Sequence, residues 1–168
     1  MKVALVTGAS SGIGAAIAIE FADAGWSVMA AGRDEARLAE VADVSENIST
    51  FEGDLETSDD CDELIAETID EFGRLDCLVN SAGILIRGDV ADTSDDSWRD
   101  TMTINLDIPF YLSRAALPQL LDAAGSIANI ASHWGLEAFY MRLGPNTKAL
   151  CWSAGRPTEA TRFQHRCA

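Results

Sequence analysis

The chain has 168 residues, 48% of them hydrophobic, which suits one domain with a sizeable core, and no apolar run approaches the roughly 20 residues that cross a bilayer. Acids outnumber bases 27 to 12, and the resulting charge of −15 argues against nucleic acid or an anionic membrane surface as partner. Such a surface also suits a protein kept soluble in concentrated salt. Four cysteines (Cys61, Cys77, Cys151 and Cys167) form no CxxC pair and show no metal-ligand spacing, so free thiols in a cytoplasmic protein without a bound metal are expected. Met1 and Lys2 lead straight into the first apolar run, leaving no room for a signal peptide.

In chain order, the apolar run at 3–6 reads as a buried strand, and an alanine-rich amphipathic stretch at 15–24 reads as a helix. Between them lies TGASSGIG, residues 7–14, the most informative segment of the chain. Glycine in such a turn lets backbone approach a ligand closely and permits positive φ. Unpaired N–H groups at Ser10, Ser11, Gly12, Ile13 and Gly14, together with the positive end of the new helix, then make the loop an anion site. A pyrophosphate fits that site, whereas the same loop without a ligand is simply a tight turn.

Further on, residues 26–31 read as a second strand, 34–41 as a helix and 48–51 as a third strand. Apolar residues at helical spacing predict a helix over 58–72, with Ser58 or Thr57 as its N-cap. Residues 75–79 read as a fourth strand. A long helical region follows over 94–121, which Pro109 and Pro118 are expected to kink or interrupt, and then a fifth strand over 126–131. Short apolar strands alternating with helices imply an α/β fold: a Rossmann-like, doubly wound parallel sheet with helices on both faces. Past Ala138 the pattern fades. A helix beginning near Lys148 is stopped by Gly155, Arg156 and Pro157, and no sixth strand follows, so the sheet is incomplete at the C-terminus. The charge changes there too. Residues 1–138 hold 26 acids and 7 bases, for −19, while residues 139–168 hold one acid and five bases, for +4.

Several segments fall where an extended dinucleotide would need them, and as an ordered set they resemble the short-chain dehydrogenase/reductase family over residues 1–138 and weakly to 150. Gly8, Gly12 and Gly14 match the family's TGxxxGxG loop. Asn80, Ser81, Ala82 and Gly83 resemble its NNAG segment, Asn105 its helix asparagine, and GSIANIAS at 125–132 the strand that ends in its catalytic serine. The resemblance implies a nucleotide-binding domain over 1–150, an atypical tail over 151–168, and an oxidoreductase that transfers hydride between a nicotinamide coenzyme and a carbonyl, a ketone or 3-oxoacyl compound. Ser132 would polarise the carbonyl oxygen, Lys148 would bind the nicotinamide ribose and tune the acid, and Asn105 would order a relay water. Asp54, followed by Leu55, matches the acid that receives the adenine amino group; alone, it reads as an exposed turn residue beside Gly53. Arg33 ends the second strand where the adenosine ribose lies in such folds, and a guanidinium there accepts a 2′-phosphate, so NADP(H) is expected over NAD(H). The bland readings of Arg33 are a solvated side chain or one paired with Glu35. Asp34 offers a possible acceptor for a ribose hydroxyl. Association into homo-oligomers would use the helices at 94–121 and after Lys148.

The sequence departs from the family at its acid, a tyrosine four residues before the lysine. Gly144 stands four before Lys148, and Tyr140 stands eight before it with Pro145 between. His133 beside Ser132 does not make a hydrolase pair, because there is no GxSxG turn and neighbouring side chains at a strand end point apart. Two readings of the C-terminus are open: an out-of-frame or truncated end, or a divergent short homologue. The alternative to an active reductase is a nucleotide-binding remnant without turnover.

Overall fold

The unbroken apolar run before Thr7 makes β1 (Val3–Thr7), buried along its whole length. A computed structural model describes residues 1–86 and 91–132 of the chain. In it β1 pairs in parallel with β2 (Ser27–Gly32) on one side and β4 (Cys77–Asn80) on the other. β3 (Ile48–Glu52) extends the sheet beyond β2, and β5 (Ser126–Asn129) extends it beyond β4, giving the order β3-β2-β1-β4-β5. The strand order reverses between β1 and β4. The carboxyl ends of those two strands open a crevice of the kind in which parallel α/β sheets bind ligands.

Alternation along β1 feeds two cores. Val3 and Leu5 face one way, with Met29 and Leu78, toward α3 (Ser58–Phe72) and α5 (Ile108–Asp122) through Cys61, Leu64, Leu112 and Ala116. Ala4 and Val6 face the other way, with Val28 and Val79, toward α1 (Gly12–Asp23) and α2 (Glu35–Ala42) through Ala18, Ala22, Leu38 and Val41. Helices thus cover both faces, as the strand–helix alternation predicts.

The element boundaries shift by up to three residues from the sequence reading. The first helix begins at Gly12, three residues before the expected start, because the last glycines of the loop form its first turn. The helix at 58–72 has the expected bounds and is capped at Thr57, whose hydroxyl accepts from the Asp60 N–H while the Asp60 carboxylate accepts from the Thr57 N–H. The long helix over 94–121 is a correction: α4 (Asp95–Met102) is separated from α5 by a π-helical turn at Thr103–Asp107. Pro109 stands two residues after that π-helical turn, in the first turn of α5, and α5 continues through Pro118.

Asp76, just before β4, ties the starts of two neighbouring strands together. Its carboxylate accepts from the Val3 N–H at 2.9 Å and from Arg74 at 2.8 and 2.6 Å. Burial pushes this carboxyl up, but the Arg74 and Val3 hydrogen bonds and the charges of Arg74 and Lys2 outweigh it and hold it below its ordinary 3.8.

Candidate functional site

A cleft of about 420 Å³ lies over the carboxyl ends of β1, β2 and β4, lined along one side by Gly8, Ser10, Ser11, Gly12, Ile13 and Gly14. Gly8 adopts φ +67°, and a Cβ on it would lie 2.7 Å from the Ala82 Cα. Gly14 leaves no room for a Cβ against the Gly8 carbonyl. Gly12, at φ +57°, has open space where its side chain would be. Two of these glycines therefore let the loop fold tightly against its neighbours, and the third faces the open cleft. Ser11 is the N-cap of α1, but no side chain caps the helix and its first turn carries no acid. The positive end of α1 is left to a ligand, and an anion is what it suits.

The opposite wall is the segment after β4, with Ser81, Ala82, Gly83 and Ile84 lining the cleft. Thr7, 1% exposed, fixes this segment: its hydroxyl donates to the Val79 carbonyl at 3.4 Å and accepts from the Ser81 and Ala82 N–H groups, both at 3.2 Å. Asn105 holds the next residue. Its amide oxygen accepts from the Ile84 N–H and its amide nitrogen donates to the Ile84 carbonyl, each at 2.9 Å. Asn80, buried at the end of β4, donates to the Asn129 side-chain oxygen at 2.8 Å and to the Ser113 hydroxyl at 3.5 Å, linking β4, β5 and α5. Ile104, Ile108 and Ile130 make the deep end of the cleft apolar. Ser132 is half-buried two residues beyond Ile130.

Arg33, Asp54 and Leu55 line the cleft at its far end, beyond β2 and β3. Arg33 reaches Asp54, Nη1 to Oδ1 3.7 Å, rather than Glu35. Asp34 is occupied locally, capping α2 by accepting from the Arg37 N–H at 3.1 Å. Arg33 and Asp54 are the only charged side chains lining the cleft among the described residues.

The structure thus gathers Gly8, Ser10, Ser11, Gly12, Ile13, Gly14, Arg33, Asp54, Leu55, Ala82 and Gly83 around one cleft, with Asn80 and Asn105 beneath it. Lys148, Gly144, Tyr140, His133 and the tail at 151–168 lie outside the described residues. The sequence reading holds Thr7 and Asn129 only as members of the TGASSGIG and GSIANIAS segments and gives them no role, and it does not single out Ser113. Among the described residues no group of His, Cys, Asp and Glu could hold a metal ion, and no helix is long and apolar enough to cross a membrane.

The family model described as short chain dehydrogenase matches residues 2–143. The chain belongs to that family. Among curated relatives, an uncharacterized oxidoreductase of Staphylococcus saprophyticus is 41% identical over 142 residues, covering 81% of this chain and 61% of the relative. One from Staphylococcus epidermidis is 37% identical over 138 residues, covering 81% and 60%. The chain therefore spans about six-tenths of the length of the curated relatives it matches. Two solved structures are similar in fold. A short-chain dehydrogenase from Streptomyces avermitilis has a TM-score of 0.80 at 32% identity, over 91% of this chain and 56% of that one. One from Shigella flexneri, complexed with NADP, has a TM-score of 0.81 at 31% identity, over 91% and 68%. These curated relatives of this short chain dehydrogenase are named oxidoreductases, and the Shigella flexneri neighbour holds NADP.

Proposed function

We propose that this chain binds NADP(H) along the cleft and reduces a small carbonyl compound, a ketone or a 3-oxoacyl group. The observation that carries the reading is the glycine-built cradle in which an uncapped helix N-terminus faces open space at Gly12. The residues fit the coenzyme: the backbone of Ser10 to Gly14 suits a pyrophosphate, Arg33 a 2′-phosphate, and the isoleucine-lined end a flat nicotinamide ring. The NADP complex of the Shigella flexneri protein supports the same choice of coenzyme. When bound, the nicotinamide supplies the hydride.

The chain's own residues take the remaining parts. The Ser132 hydroxyl, two residues beyond Ile130 in the chain, donates a hydrogen bond to the substrate oxygen and stabilises the charge that develops there. Lys148 holds the nicotinamide ribose. Asn105, whose amide is committed to Ile84, keeps the 81–84 wall in place beside the substrate and adjoins the relay water. The exposed Phe110, Leu117 and Leu121 on α5 support association between copies, and the free buried thiols of Cys61 and Cys77 support a cytoplasmic location. NADPH oxidation measured against a panel of ketones tests the reading, and turnover of at least one ketone is expected.

A second reading is binding without turnover. It is favoured by one sequence observation: Gly144, not tyrosine, stands four residues before Lys148. Coenzyme binding with no oxidation across the whole panel is the result that selects it.

A further inference from the structure

The Arg33–Asp54 pair joins the ends of two strands. Gly32 pairs with Glu52 in the parallel register, and the Gly53 N–H donates to the Gly32 carbonyl at 3.0 Å, so Arg33, one residue past Gly32, and Asp54, two past Glu52, leave the sheet as neighbours. Their charged groups stand 3.7 Å apart, with the two side chains 68% and 49% exposed. An ion pair this open to water is worth little, on the order of 0–1 kcal/mol, so a better partner displaces either member. A phosphate monoester is such a partner for the guanidinium, because it accepts two parallel N–H bonds and carries more charge than a carboxylate. It is the opposite for Asp54. Glu52, Asp60, Glu63 and Glu67 line a neighbouring surface depression that Asp54 also lines, so the surface next to this end of the cleft is acidic.

We propose that Asp54 is a coenzyme-selectivity residue that acts through Arg33. In the free protein its carboxylate neutralises the guanidinium and keeps it at the mouth of the cleft. When a ligand carries a phosphate on the adenosine ribose, that phosphate must take Arg33 from Asp54 and then lie beside the displaced carboxylate. A ligand with a free 2′-hydroxyl meets neither opposition. Asp54 therefore narrows the preference for NADP(H) that Arg33 creates. This inference rests on the coenzyme reading proposed above, and it departs from the adenine-acceptor role that family resemblance implies for Asp54.

The test is calorimetric titration of the full chain, wild type, Asp54→Asn and Arg33→Gln, with NADPH and with NADH. Asp54→Asn is expected to bind NADPH about fivefold more tightly and NADH within about twofold of wild type, with the gain shrinking as salt is added. Arg33→Gln is expected to lose most of the discrimination between the two. If Asp54→Asn weakens both coenzymes alike, or leaves their ratio unchanged while the wild type binds, Asp54 is an adenine or structural residue and the inference is overturned alone. If the wild type binds neither coenzyme, the coenzyme reading falls and this inference falls with it.

Discussion

Gly14 sits so close to the Gly8 carbonyl that a side chain at position 14 would overlap it. The turn and the first turn of α1 are therefore one packed unit. Replacing Gly14 by alanine must move backbone, not a side chain, and we expect it to destabilise the fold by about 1–3 kcal/mol and to abolish measurable NADPH binding. Gly12→Ala is the contrast. It meets open space but must hold φ +57°, so we expect a loss of only about 1–2 kcal/mol from strain. Urea unfolding of both variants, with calorimetry on each, measures the difference.

Thr7 offers a cleaner separation of position from packing. Thr7→Val keeps the shape but removes the acceptor shared by the Ser81 and Ala82 N–H groups, so stability should fall by about 1–3 kcal/mol. Coenzyme affinity should fall with it, because the cleft wall at 81–84 loses one of its anchors. Thr7→Ser, which retains the hydroxyl, should recover most of the affinity. A serine variant as weak as the valine variant would place the effect in the lost methyl group instead.

The contrast between these glycines and Thr7 shows how much of the site could be read from the sequence. The loop was legible because its chemistry is local: strand, glycines and helix follow one another in the chain. The helix at Ser58–Phe72 was legible for the same reason, with Thr57 and Asp60 writing its start. The π-helical turn at Thr103–Asp107 was not. It contains Asn105, which bonds across to Ile84, a tertiary contact with no trace in helical periodicity, and of the two prolines that stand out in the sequence Pro109 follows the turn closely while α5 continues through Pro118. The Arg33–Asp54 pair was hidden likewise, since it depends on the register between β2 and β3.

Acid stability should carry the signature of Asp76. Its folded carboxyl lies below 3.8, so the stability it contributes is complete above the unfolded value and is lost as pH falls through the lower folded one. Asp76→Asn should cost about 1–3 kcal/mol at neutral pH through the weakened acceptor of the buried Val3 N–H. Its loss of stability on acidification below pH 3.8 should be shallower than that of the wild type. Parallel curves for the two proteins over that range would contradict this assignment.

Thiol chemistry reports on the core. Burial, helped by Asp60 and Asp62, pushes the Cys61 thiol up to about 12, and burial also raises that of Cys77. Both should resist alkylation in the folded protein at neutral pH and react at the rate of global unfolding in urea. Peptide mapping after timed labelling identifies which cysteines are modified.

The central claim is that backbone at residues 7–14 and the open N-terminus of α1 grip the pyrophosphate of a nicotinamide coenzyme. Calorimetric titration of the folded chain with NADPH and NADH tests it most directly. A saturable heat at one equivalent, with NADPH the tighter ligand, is the expected result. No heat from either nucleotide, on protein that melts cooperatively, would contradict the claim.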